Sequence, residues 1–156
     1  MTALLSVAAA VAAAGCVLWW LRRTLVAVDV SGPSMAPTLA DGDRVLVRRR
    51  RTADLRVGDV VVLEVPRGAG PWPADADPGH RWMVKRVAAL PGDPTPAVCA
   101  RAAGVAPGAP VPPGRMVVLG DNAALSADSR VWGYVPARRL LGVVRRRMAR
   151  PRTPSA

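Results

Sequence analysis

A run of 19 residues, Ala3 to Leu21, contains no charged side chain. In a bilayer, backbone N–H and C=O groups find no water, so such a run crosses as a helix, and about 20 residues suffice. Trp19 and Trp20, then Arg22 and Arg23, close it as an interfacial aromatic belt with a basic anchor. A cleaved signal peptide is the competing reading. However, no Lys or Arg precedes the run, and bulky residues stand where small ones precede a cleavage site. Ala13-Ala14-Gly15-Cys16 looks like a lipoprotein junction, yet Val17-Leu18-Trp19-Trp20 continues the apolar stretch. The sequence therefore predicts an uncleaved transmembrane anchor over residues 1–24. Arg22 and Arg23 lie on its C-terminal side, a bias toward a cytoplasmic body.

The remainder cannot be mostly helical. The 156 residues include 16 Pro and 14 Gly, which favour short strands and turns. Strands are expected over 25–30, 44–47, 60–65, 81–90 and 115–119. Asp41-Gly42-Asp43 and Pro91-Gly92-Asp93-Pro94 read as turns. Arg48 to Arg51 reads as a solvated loop or a contact to lipid phosphates. Residues 66–80 read as a Pro/Gly-rich loop, and 136–144 as a short helix or a closing strand. Residues 95–113 carry no usable pattern. The expected organisation is an anchor over 1–24, a mainly β body over 25–144, and a basic tail over 145–156. The tail, with five arginines up to Arg152, is expected on an anionic surface or disordered.

The net charge of +11 suits an anionic partner. The two cysteines, Cys16 and Cys99, lie in the anchor and the body, so no disulfide is expected. One histidine and no Cys-x-x-Cys leave no basis for a structural zinc site. That histidine, His80, falls in the Pro/Gly loop and reads as a surface residue.

Three segments could carry chemistry. Ser31 to Leu39 contains two prolines and a glycine, which exclude helix and hold the Ser34 hydroxyl on a stiff, turned backbone. Such a hydroxyl is either a nucleophile or an ordinary turn serine. The second segment holds Lys85, the one lysine among 22 basic residues, in the apolar strand Trp82 to Ala88. Arginine stays charged above about pH 12 and cannot serve as a base, whereas burial can make lysine neutral. Alternation puts Lys85 on the face of Met83 and Val87. A snorkelling surface lysine is the bland alternative. The third segment, Gly120-Asp121-Asn122 through Arg130, is a polar turn. There Ser126 could orient the amine, and Asp128 with Arg130 could form an ion pair.

In this order, Ser31–Leu39, Val84–Asp93 and Gly120–Pro136 resemble the motifs of the type I signal peptidases, the membrane-anchored Ser/Lys endopeptidases. The resemblance implies a mostly antiparallel β body lying on the membrane surface. It implies Ser34 as acylating nucleophile, Lys85 as general base, Ser126 as the lysine-orienting serine, and Asp128 with Arg130 as a structural ion pair. The substrates it implies are exported precursors cut after small residues, bound as an added strand on the extracytoplasmic face. No metal, cofactor or nucleic acid is called for. Gly32 stands where many members carry a serine, so the oxyanion hole is expected from the backbone of Ser34 and Gly32. Ala123, Ala124 and Leu125 replace polar residues often found there, and 95–113 is short. A dedicated maturation protease for one secreted peptide or pilin-like precursor is the alternative function. A non-enzymatic, basic, membrane-anchored binding module is the remaining one.

Overall fold

The computed structural model describes residues 2–64 and 82–148. A single helix, α1 (Thr2–Thr24), precedes an antiparallel sheet. Its strands are β1 (Leu25–Asp29), β2 (Arg44–Arg49), β3 (Val60–Glu64), β4 (Trp82–Ala89), β5 (Arg115–Leu119), β6 (Val135–Pro136) and β7 (Leu140–Met148). Two short helices, α2 (Ala97–Ala103) and α3 (Ser129–Trp132), lie in the connections. The side chains of α1 are described from Val11 onward, and among the described residues no helix is long and apolar enough to cross a membrane.

The strand order is β1-β2-β7-β3-β4-β5-β6. The last long strand thus inserts between β2 and β3, which are sequence neighbours. This buries β3, β4 and β7 deep in the sheet, and period-2 alternation then divides their side chains between two faces. One face holds Val61, Leu63, Val87, Met116, Val118 and Trp132. The other holds Val62, Val84, Val45, Val47 and Leu141, and there Met35 and Leu39 of the 31–39 segment pack against the strands. Met35 is wholly buried, and fixing it also fixes the position of its neighbour Ser34.

The strands expected over 25–30, 60–65, 81–90 and 115–119 are present to within a residue or two among the described residues. Both alternatives for 136–144 have a part, because Ala137–Arg139 form a single 3-10 turn and the strand β7 begins at Leu140. Two expectations are corrected. Arg48 and Arg49 are not loop residues but extend β2, because they pair with Val143 and Gly142 of β7. Residues 145–148 are not tail but part of β7: Arg146 to Met148 pair with Leu46 to Arg44, Arg145 lies at a bulge, and Arg147 also reaches Asp43 at 3.3 Å. The 66–80 loop with His80, and residues 149–156, lie outside the described residues. The unassigned 95–113 stretch contains α2, capped by Gly104 at φ +70°, a left-handed turn that favours glycine. Cys99 is buried in α2, and burial pushes its thiol up to about 11, so it is inert.

At Gly142 two strands approach closely. A Cβ there would lie 2.2 Å from the Arg48 carbonyl oxygen and 2.9 Å from Arg49 Cα, and neither backbone atom can yield. Gly142→Ala should destabilise the body by about 1–3 kcal/mol or more, lowering the thermal midpoint in detergent by several degrees. An unchanged midpoint would contradict this packing.

Candidate active site

The three segments singled out by sequence converge at one place. Ser34 sits in the turn after β1, half-buried, and Lys85 sits in mid-β4. Lys85 Nζ lies 2.8 Å from Ser34 Oγ. The strand explains the lysine's environment. β4 runs between β3 and β5, both of its faces are covered, and Lys85 is only 4% exposed. Burial lowers the amine below the ordinary lysine range. The Asp128 carboxylate opposes that shift and the Arg130 guanidinium adds to it.

Asp128 is completely buried at the start of α3. Its carboxylate accepts hydrogen bonds from the Gly120 N–H (2.8 Å), the Ser126 hydroxyl (2.7 Å), the Arg130 N–H (3.0 Å) and the Arg130 guanidinium (3.0 and 2.5 Å). Burial alone would raise this carboxyl. The Arg130 guanidinium, then the Gly120, Ser126 and Arg130 N–H and O–H donors, outweigh burial and hold it below the usual carboxylate range. The expected Asp128–Arg130 pair is thus present as a forked ion pair. Ser126 is in the cluster, where its hydroxyl donates to Asp128, and no hydrogen bond joins it to Lys85 among the described residues.

The Gly32 N–H, expected as an oxyanion donor, is directed elsewhere. Gly32 adopts φ +86°, a left-handed geometry suited to glycine, and its N–H donates to Asp41 Oδ1 at 2.8 Å. The turn acid Asp41 claims that group. Among the described residues, nothing accepts a hydrogen bond from the Ser34 N–H.

Several residues that build the site carried no role of their own in the sequence reading. Gly120 leaves no room for a side chain: a Cβ would lie 2.1 Å from Ser126 Oγ and 2.6 Å from the Ser34 carbonyl oxygen. The Asn122 N–H donates to that same carbonyl at 3.0 Å. On the face of β4 opposite Lys85, Arg86 grips both Asp121 oxygens at 2.8 and 2.6 Å. Thr38 donates to Asp121 at 2.5 Å, and Arg86 also reaches the Gly58 carbonyl at 2.9 Å. The hydrogen bond from Arg86 is the main reason the Asp121 carboxyl lies below its usual range. A charged residue directly beside the lysine in an apolar strand was the available signal for Arg86. One network therefore clamps all three segments together.

Comparison with known proteins gives the same direction. The family model described as signal peptidase, peptidase S26, matches residues 3–106 and 96–149. The chain is similar to probable signal peptidase I-1 of Synechocystis sp., with 32% identity over 81% of this chain and 73% of that protein. It is similar to probable signal peptidase I-2 of the same organism, at 32% over 77% of this chain and 62% of the relative. It is also similar to the mitochondrial ATP-independent inner membrane protease subunit 1a of Arabidopsis thaliana, at 35% over 74% of this chain and 65% of that protein. With the family match running through nearly the whole described body, and an antiparallel β fold of the same type, this chain belongs to the peptidase S26 signal peptidases, a family of serine endopeptidases.

Proposed function

We propose that the protein removes signal peptides from exported precursors by a Ser34–Lys85 acyl-enzyme mechanism. The observation that carries this reading is the 2.8 Å contact between Ser34 Oγ and a lysine amine that is almost fully buried. In the neutral state the amine offers its lone pair to the hydroxyl proton. Ser34 Oγ then bonds to the scissile carbonyl carbon while Lys85 takes the proton. The protonated amine returns that proton to the leaving nitrogen as the C–N bond breaks. An ester remains on Ser34. Lys85 next draws a proton from water, the hydroxide attacks the ester, and the proton passes back to Ser34 as the acid product leaves. The Ser34 N–H is the candidate donor to the oxyanion. One such donor is worth about 2.7–4 kcal/mol, so the commitment of Gly32 to Asp41 marks a site with a lean oxyanion hole.

Asp128 and Arg130 act as positioning residues. Ser126 belongs with them, since its hydroxyl completes the shell around Asp128. The domain reading is an anchor over 1–24 and a protease body from residue 25 that extends through β7. Helix α1 is the candidate anchor on the strength of its sequence: the uncharged 3–21 run is close to the length a bilayer crossing needs, although the part of α1 whose side chains are described is by itself too short. The body is then extracytoplasmic, where precursors emerge, against the weaker bias of Arg22 and Arg23. Substrates with small residues before the cleavage site fit this family reading, as does a bound peptide in extended form. The second reading is a protease of the same chemistry dedicated to one secreted peptide or pilin-like precursor. Accumulation of a single precursor in a deletion strain would support that narrow role, and broad accumulation the general one.

Cleavage of a model signal peptide in detergent tests the chemistry. Ser34→Ala and Lys85→Met should each lower kcat/KM by roughly 10⁴–10⁶-fold. Lys85→Met should leave the thermal midpoint unchanged or higher, because it removes a buried amine of similar length. Retained cleavage in either variant would contradict the mechanism and return the non-enzymatic alternative to consideration.

The pH profile follows from the direction of the Lys85 shift. Only the neutral amine is a base, and it predominates above the lowered value. Activity should therefore rise with pH through a midpoint below the ordinary lysine value of about 10.4. A rise that begins only near pH 10 would contradict a desolvated base.

A further inference from the structure

Helix α1 ends against a cluster of charge that the proposed chemistry does not use. Arg48 to Arg51, at the end of β2 and just beyond it, enclose an open cavity of about 410 Å³ together with Trp20 and Thr24 of α1. Asp54 is the one acid among the described residues lining it, and its contact to Arg50 is long, at 3.7 Å. Arg48, Arg49 and Arg51 form no ion pair among the described residues. Four arginines thus line this hollow, and three of them have no ion-pair partner among the described residues.

The cavity also has an apolar neighbour. A second hollow, about 350 Å³, is lined by Cys16, Val17, Trp19 and Trp20 of α1. Trp20 forms a wall of both. Trp19 and Trp20 are about half exposed, and Arg23 stacks over the Trp19 ring at 4.3 Å. Aromatic rings and arginines at the end of an apolar helix lie at headgroup depth. The forked guanidinium matches phosphate oxygens better than a point charge does. A free phosphate would use only the arginine hollow, whereas a phospholipid would use both, with its headgroup among the arginines and an acyl chain along Trp20.

We infer that the cavity between the end of α1 and Arg48–Arg51 is a binding site for the phosphate of an anionic phospholipid, of the phosphatidylglycerol class. The inference rests on the reading of α1 as a membrane anchor. A lipid held there would seat the sheet on the bilayer and fix the direction in which α1 enters it, so the arginines would act as a strap between anchor and body.

Native mass spectrometry of the full chain, exchanged from detergent into lipid mixtures, tests the site. Phosphatidylglycerol should be retained as a single bound lipid, and phosphatidylcholine should not. Each surface arginine contributes roughly fivefold to such binding. Arg48→Gln with Arg51→Gln should therefore weaken retention by about 25-fold. The charge-matched control, Arg101→Gln with Arg146→Gln, should leave it unchanged. If thermal unfolding shows that the double variant does not fold, Arg51→Gln alone should give about a fivefold loss. Inorganic phosphate at millimolar concentration should not displace the lipid. Equal retention of both lipids, equal losses in the two double variants, or displacement by phosphate would overturn the proposal. Flotation with phosphatidylcholine-only vesicles separates the anchor from the site. Failure to float would refute the anchor reading, whereas flotation without a preference for phosphatidylglycerol would refute the lipid site alone.

Discussion

Everything at this site depends on keeping one amine out of water beside one hydroxyl. A lysine in an edge strand would snorkel to solvent and stay charged. Lys85 cannot, because β4 has β3 and β5 as neighbours and side chains cover both of its faces. Desolvation therefore dominates its titration. The nearby Asp128 carboxylate works against this by favouring the ammonium form. Its oxygens are held by the Arg130 fork, the Gly120 N–H and the Ser126 hydroxyl, and Arg130 carries a compensating positive charge. The ion pair thus limits the field that Asp128 exerts on the lysine while stiffening the turn that abuts Ser34.

The Ser34 hydroxyl is placed by packing more than by its own contacts. Met35 and Leu39 on either side of the turn are buried in the second core cluster. Asn122 holds the Ser34 carbonyl, Gly120 permits that approach, and Arg86 ties β4 to Asp121 and thence to Thr38. The sheet sets the distance between two residues 51 positions apart in the chain. Preorganisation of this kind suits acyl transfer, where small misplacements cost large factors in rate.

Much of this was legible in the sequence, for identifiable reasons. A lysine in an arginine-rich chain, set in an apolar strand, points to function by its exception to the bias. The strands of the body were legible because apolar runs bounded by Gly, Pro and Asp leave little choice. Helix α2 was not, because its alanines and small neighbours give no periodic contrast, and its stability comes from Cys99 and Ala100 docking into a core. The donor choices of Ser126 and Gly32 were hidden as well, since each depends on an acid whose position only the folded turns define. Arg48, Arg49 and residues 145–148 read as loop and tail because charge obscured strand pairing. That pairing is supplied by partner backbone, which composition cannot show.

The central claim is that burial lowers the Lys85 amine below the ordinary lysine range, and it can be read directly. Because the chain has a single lysine, labelling lysine side-chain nitrogen with ¹⁵N gives one Nζ signal from the whole protein. Titrated by NMR in detergent, that signal should show the amine deprotonating below the ordinary lysine value of about 10.4, and Ser34→Ala should perturb it. A signal that stays ammonium up to about pH 10 would contradict the account.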